Sequence, residues 1–297
     1  MFIAAKSYAK VNLCLAVSAP EPVGAARAGW HKIASWFHAV DLWDDVYVER
    51  ATDGVTTFER EIAANAAKSG VIDWPLEKDL GFRAIKLLEE NCGERLAVKV
   101  KVRKRIPSGG GLGGGSSNAA TMLRTLNSLF GLGVESAELL RLSQKLGSDV
   151  AFFVDDVDLD RPPRPAIVRG FGESVERVAS VKGELGLVIP EFGCATEKVY
   201  QMFDAIVKRG PWEFRAQAVC ETVKRAVERG SVVEKELFND LRAAAETVEP
   251  RLTKLFAEME RAGVQAGLSG SGSTMMVMGE TANLVVSGAS VFQTRLV

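Results

Sequence analysis

Between Ile106 and Asn118 the chain reads I-P-S-G-G-G-L-G-G-G-S-S-N. Six of the seven residues from Gly109 to Gly115 are glycine, with only Leu112 between them. A segment almost without side chains cannot pack a core, so its neighbours decide what it is for. Upstream, Ala97 to Ile106 alternates Val98, Val100 and Val102 with Lys99, Lys101 and Arg103, the period of a half-buried strand. Downstream, Ser116 to Phe130 has the pattern of a helix that opens on Ser or Asn caps. Strand, glycine loop and helix N-terminus, in that order, make an anion site. Glycine lets the backbone approach closely and its N–H groups line the concavity. The first helical turn adds unpaired donors and about half a positive charge.

Other glycine segments fit less well. A Walker A loop closes on Lys-Ser or Lys-Thr, whereas Gly115 is followed by Ser116. Gly109-x-Gly111-x-x-Gly114 satisfies the dinucleotide pattern, but the strand before it carries Lys99, Lys101, Arg103 and Arg105. The first strand of a dinucleotide fold is buried on both faces. Nor does a strand ending in an acid follow roughly twenty residues on, where Gly131-Leu-Gly133 stands instead. A flexible linker would not sit between a patterned strand and a capped helix.

The 297 residues allow one large or two medium domains. Lys and Arg number 37 against 38 Asp and Glu, a net charge of −1, which gives no footprint for nucleic acid. No apolar run reaches the roughly 18 residues of a membrane span. Lys6 and Lys10 interrupt the N-terminal apolar stretch, a poor signal peptide. Cys14, Cys92, Cys194 and Cys220 are scattered, without metal or disulfide spacing, so a cytoplasmic protein is expected.

Tyr8 to Val17 alternates as a strand, with Lys10, Asn12, Cys14 and Ala16 on one face. Base rates make Lys10 an exposed strand lysine. Against that, Asn12 shares its face and the residues beyond are small, as if something lies over them. Strands are predicted at 33–42, 45–50 and 185–190, and helices at 79–93, 136–146, 197–208, 213–229 and 250–262. His38 alternates with Trp36 and Val40, the setting of a satisfied, partly buried histidine. Asp149 lies just past a helix and before the apolar run Val150–Val154, read as a strand. Asp156-x-Asp158-x-Asp160 resembles a calcium loop, but Arg161 and Ile167 stand where Gly and Glu belong, so the Pro-rich segment 155–165 reads as a solvated loop. Gly267–Val277 is a second glycine loop followed by an apolar strand. Residues 279–297 carry no clear signal.

Pro107-Ser-Gly-Gly-Gly-Leu-Gly-Gly-Gly-Ser-Ser-Asn-Ala-Ala resembles the second motif of the GHMP kinases, P-x-x-x-G-L-G-x-S-S-A. The GGGSS-[DN]-AA form is similar to the branch acting on 4-diphosphocytidyl-2-C-methylerythritol in non-mevalonate isoprenoid synthesis. Four further segments resemble that branch in order: A-K-V-N-L around Lys10, Gly29-Trp-His31, L-G-S-D-V-A-F-F around Asp149, and Gly267–Thr274. A-T-E-K-V-Y and Leu237-Phe-Asn-Asp-Leu241 add to them, the latter read as structural. Ala151 stands where the family has proline, from which a local change of turn is expected.

The resemblance implies an α+β fold of two domains. The N-terminal, ATP-binding one spans 1–163 and is ribosomal-protein-S5-like; the C-terminal one spans 164–297 and is α/β-plait-like, with the active site in the cleft between. It implies that ATP phosphates are held by Pro107, Ser108, Gly109, Gly110, Gly111, Leu112, Gly113, Gly114, Gly115, Ser116 and Ser117, with Gly270, Ser271 and Gly272 closing over them. Ser116 or Ser117 is implied to help hold Mg²⁺, and no dedicated metal cluster is expected. Asp149 is implied as the base and Lys10 as its charge partner. Asn12, Trp30, His31, Thr196 and Tyr200 are implied to bind an acceptor with a cytidine diphosphate moiety. The implied partner is this small molecule, not nucleic acid or membrane, in a monomer or homodimer. The resemblance also leaves open another GHMP kinase, for a sugar, homoserine or a mevalonate, or a silent nucleotide-binding protein.

Overall fold

The alternation at Tyr8–Val17 is the middle of a longer strand, Phe2–Pro20, and from Ser7 to Val17 every residue is buried. Both faces are therefore covered, which is why the polar positions Lys10 and Asn12 must find partners inside. The strands expected at 33–42 and 45–50 are one, His31–Arg50, because no glycine or proline breaks the extended backbone between them. The computed structural model describes residues 2–68 and 70–297. Its chain divides into two compact units.

One unit comprises residues up to Ala9, Leu42–Pro107 and Gly113–Pro163. Strand Val98–Lys104 lies antiparallel to Asp45–Arg50 and parallel to Thr57–Ile62. Val98, Val100 and Val102 face inward, while Lys101 and Arg103 pair with Glu61 on the outer face. Helix Leu80–Cys92 starts where Asp79 accepts the N–H groups of Gly81 and Phe82, and stops at Gly93 in the left-handed conformation. It packs against helix Gly114–Phe130. The segment Val150–Phe153 is a buried helical turn, not a strand. Four consecutive buried apolar residues have no period to distinguish the two. Its Val154 N–H donates to Ala151 O where the family proline would stand. Segment 155–165 is irregular, as expected, though Asp155 is buried and binds the Asp156 N–H.

The other unit comprises Lys10–Asp41, Ser108–Leu112 and Arg164–Val297. An antiparallel sheet runs in the order Ala289–Arg295, Glu184–Pro190, Met275–Met278, Gly267–Leu268. The featureless C-terminal stretch thus supplies an edge strand. Helices Thr196–Val207, Arg242–Val248 and Pro250–Arg261 bury Phe203, Leu252, Phe256 and Met259 in one core with Val188, Leu268 and Met275. The expected helix at 213–229 spans Ala216–Arg229. Ile33–Phe37 pairs with Ala166–Gly170, which pairs with Ser174–Arg177. Cys14 and Leu15 pair in parallel with Phe238 and Asn239.

Candidate active site

Three successive carbonyls of the first glycine loop are tied to protein donors. Thr274 N–H donates to Gly110 O at 3.2 Å, Ser269 Oγ to Gly111 O at 3.2 Å, and Lys10 N–H to Leu112 O at 2.9 Å. In a trans peptide the carbonyl and the following N–H point opposite ways. The N–H groups of Gly111 and Leu112 therefore face away from these partners, and among the described residues no backbone N–H of 108–112 has an acceptor in the protein. Gly109 and Gly111 have φ of 72° and 76° while Gly110 does not have positive φ, the alternation that turns successive N–H groups into one concavity. Gly111 is obligatory for a second reason: a Cβ there would collide with Ser269 O.

The helix after the loop begins on glycine. Gly113, at φ 71° and ψ 16°, is the N-cap of Gly114–Phe130 and offers no side-chain acceptor. The expected caps at Ser116 to Asn118 lie inside the helix instead. A left-handed glycine makes the turn without a capping side chain, which leaves first-turn N–H groups for an anion. Gly114 packs on Ile106, whose Cγ2 would lie 2.9 Å from an added Cβ. Ile106 is held in turn by buried Asp44, which accepts the N–H groups of Arg105 and Ile106 at 2.7 and 2.9 Å and pairs with Lys104 at 2.6 Å. Ser117 is buried and its hydroxyl donates to Ser7 Oγ at 3.3 Å, within a chain that reaches Thr121. Ser116 is half-buried.

Lys10 is only 2% exposed, contrary to the base rate for a strand lysine. Its ammonium donates to Asn12 Oδ1 at 2.6 Å and lies 4.8 Å from the Phe37 ring centroid. Asn12 Nδ2 donates to Ser35 Oγ at 2.9 Å, and Ser35 Oγ to Cys14 O at 2.6 Å. This relay fixes the amide with its oxygen toward the lysine. Asp149, half-buried, precedes the turn Val150–Phe153, which packs on helix Gly114–Phe130.

The second glycine loop, 269–274, is laced to its surroundings. Ser273 Oγ donates to Phe192 O at 2.6 Å, and Thr196 Oγ1 lies 2.8 Å from Ser271 Oγ. Thr196 opens the helix that carries Tyr200 and Asp204. His31 lies against that helix, with Tyr200 5.1 Å and Phe203 5.5 Å away between ring centroids. Its Nδ1 donates to Ser18 O at 2.8 Å, since a carbonyl only accepts, and Nε2 is 3.2 Å from Asp204 Oδ1. Trp30 is 54% exposed and meets Phe171 edge-on at 6.2 Å, with Arg27 over both rings. Cys194 lies against the loop at Gly272, but burial pushes its thiol up to about 11, so it is no nucleophile. His38 is fully buried with Nδ1 on Ala39 O and, among the described residues, no partner for Nε2, so it is not the satisfied histidine expected.

Within one unit, then, Lys10, Asn12, Gly110–Leu112, the 270–272 loop and Thr196 are connected by hydrogen bonds, and His31 meets Tyr200. Gly113–Ser117 and Asp149 lie in the other unit, on the paired helix and turn. Sequence reading missed Asp44, Ser269, Asp204 and the role of Asn239. For Asn239 there was a signal, the N-D-L segment itself.

The model of the GHMP kinases N terminal domain matches residues 79–156, and that of GHMP kinases C terminal matches 221–290. This is the architecture of a class of small-molecule kinases. The 4-diphosphocytidyl-2-C-methyl-D-erythritol kinase of Symbiobacterium thermophilum is 33% identical over 274 residues, covering 91% of this chain and 88% of that enzyme. That of Paraburkholderia phymatum is 36% identical over 192 residues, a stretch spanning 65% of this chain and 58% of the relative's length. A crystal structure of a 4-(cytidine 5'-diphospho)-2C-methyl-D-erythritol kinase matches at TM-score 0.75, with 26% identity and 99% of each chain covered. The chain belongs to the 4-diphosphocytidyl-2-C-methyl-D-erythritol kinase family.

Proposed function

We propose that this chain transfers the terminal phosphoryl group of ATP to the 2-hydroxyl of 4-diphosphocytidyl-2-C-methyl-D-erythritol, in non-mevalonate isoprenoid precursor synthesis in the cytoplasm. The observation that carries the reading is the glycine loop whose carbonyls are tied down at Gly110, Gly111 and Leu112. Phosphoryl transfer asks a protein mainly to position reactants and neutralise charge. The loop N–H groups and the first turn from Gly114 bind the ATP phosphates, and Ser271 with its glycine neighbours closes on them. Mg²⁺ brought with the nucleotide would supply charge neutralisation; Ser116 is the hydroxyl that would hold it, because Ser117 is engaged with Ser7.

Asp149 accepts the proton of the acceptor hydroxyl, a role contributing about 10²- to 10⁴-fold. Its place at the start of a buried turn supports a fixed carboxylate. Lys10, oriented by Asn12, offsets charge developing on the transferred group. His31 and Tyr200, already in ring contact, orient the cytidine end, with Trp30 as an exposed aromatic face next to His31. The same reading assigns 1–163 to the ATP-binding domain and 164–297 to the C-terminal one. Another GHMP kinase substrate would leave the His31–Tyr200 pair without a task, and competition by CDP discriminates the two.

The test is ADP release from ATP·Mg²⁺ with 4-diphosphocytidyl-2-C-methyl-D-erythritol, for the native chain and Asp149→Ala. Substrate-dependent turnover in the native chain, falling by about two or more orders of magnitude in the variant, is the expected result. Turnover that survives discards Asp149 as the base, and a native chain without turnover discards the acceptor.

A further inference from the structure

Asn239 lies in the Leu237–Leu241 segment, which the function above leaves unused. The segment is fastened to the strand that carries Lys10 and Asn12. Phe238 and Asn239 pair with Cys14 and Leu15, Asp240 N–H donates to Leu15 O at 2.9 Å, and Asp240 Oδ2 accepts Val17 N–H at 2.9 Å. From this anchor the Asn239 amide reaches the second glycine loop. Its Nδ2 donates to Leu268 O and to Gly270 O, both at 2.8 Å, and its Oδ1 accepts Leu241 N–H at 2.9 Å. Both amide protons and the oxygen are engaged, so the side chain has one orientation.

Gly270 O is drawn toward Asn239, and the Gly270–Ser271 peptide is trans, since the cis bond is at Gly272–Ser273. The Ser271 N–H therefore points away from the brace. Among the described residues it has no acceptor in the protein. Leu268 O, on the other side of Ser269, is held by the same nitrogen, and Ser269 is the residue whose hydroxyl ties down Gly111 O. One amide thus sets the orientation of a free donor in the second loop and the position of the serine that orients the first.

We infer that Asn239 is a positioning residue for nucleotide binding: it turns the Ser271 N–H toward the ATP phosphates and holds Ser269 against the first glycine loop. This rests on the kinase reading above. The prediction is confined to the nucleotide, because both donors of the Asn239 amide go to the second glycine loop. Asn239→Asp keeps the shape but replaces two donors by a carboxylate facing two carbonyls. Losing both bonds is worth about ten- to a hundredfold in affinity.

The experiment measures steady-state kinetics for both substrates, titration with AMP-PNP·Mg²⁺, thermal melting, and hydrogen exchange over 267–275. For Asn239→Asp we expect the ATP KM and the AMP-PNP Kd to rise by about ten- to a hundredfold. The acceptor KM should stay near native, the melting midpoint should fall by only a few degrees, and exchange in the loop should quicken. Native nucleotide affinity in the variant, beside an active native chain, overturns the brace while leaving the kinase reading intact. A joint rise of both KM values with a midpoint lowered further also overturns it, since that is loss of fold. A native chain that neither binds AMP-PNP nor turns over removes the kinase reading and the brace with it. If Asn239→Asp does not fold, Asn239→Ser, which lacks the carboxylate, is judged by the same criteria.

Discussion

At the scale of the single residue, Lys10 shows what burial demands of a lysine. An ammonium that is 2% exposed has given up nearly all its hydration, and such a group persists only when its donors are used. Here one donor goes to Asn12 Oδ1, and the relay through Ser35 to Cys14 O keeps that oxygen turned toward it. A lysine needed only for packing would not require an oriented amide. Lys10→Met retains the stem and removes the charge, so the chain should fold while kcat falls by about 10²- to 10³-fold, the usual effect of losing one transition-state donor. Rates within a few-fold of native, measured on a folded variant, would show that the charge does no catalytic service.

At the scale of the element, the two glycine loops act as one device, because each supplies partners for the other. Ser269 and Thr274 of the second loop hold Gly111 O and Gly110 O of the first. The contrast between Gly111 and Gly109 tests this. Both have positive φ, but an added Cβ at Gly109 meets nothing within 4 Å, whereas at Gly111 it strikes Ser269 O. Gly109→Ala should cost only left-handed strain, about 1–2 kcal/mol. Gly111→Ala should also push the loops apart and raise the ATP KM well beyond the Gly109→Ala value. Equal effects of the two substitutions would mean that the lacing does not shape the site. The sequence shows the loop and the strand and helix beside it, because glycine content and local order are written in one dimension, while Lys10, Asp149 and Thr196 are marked by the motifs they share with the GHMP kinases. It does not show the helix opening on Gly113, since a left-handed cap leaves no capping side chain to read. It does not show the Asn239 brace or the Asp44 clamp on Ile106 either. Those are contacts over 29 and 62 positions of chain, carried by ordinary Asn and Asp residues.

At the scale of the whole molecule, stability in acid should depend on a residue outside the proposed chemistry. His38 is fully buried, and among the described residues neither its Nε2 nor Trp36 Nε1 on the same strand face has a partner. Burial pushes the His38 imidazole down from 6.5 to about 4, only partly opposed by its bond to Ala39 O. Above pH 6.5 the ring is neutral in both folded and unfolded chains and has no effect on their balance. As pH falls from 6.5 toward 4, the unfolded chain takes up a proton that the folded one refuses, so stability declines through that window. The full difference is about 3 kcal/mol, from roughly 1.4 kcal/mol per unit. Glu236 and Glu249, held low by Arg229 and Arg251, lose their stabilisation only as pH falls from 4.5 downward. Denaturant unfolding of the native chain between pH 7 and 4.5 should show this slope, and His38→Gln, which cannot titrate, should flatten it. A variant that keeps the native slope would place the acid sensitivity elsewhere. A flattened slope with unchanged turnover near neutral pH would assign His38 to the fold and leave catalysis to the loops.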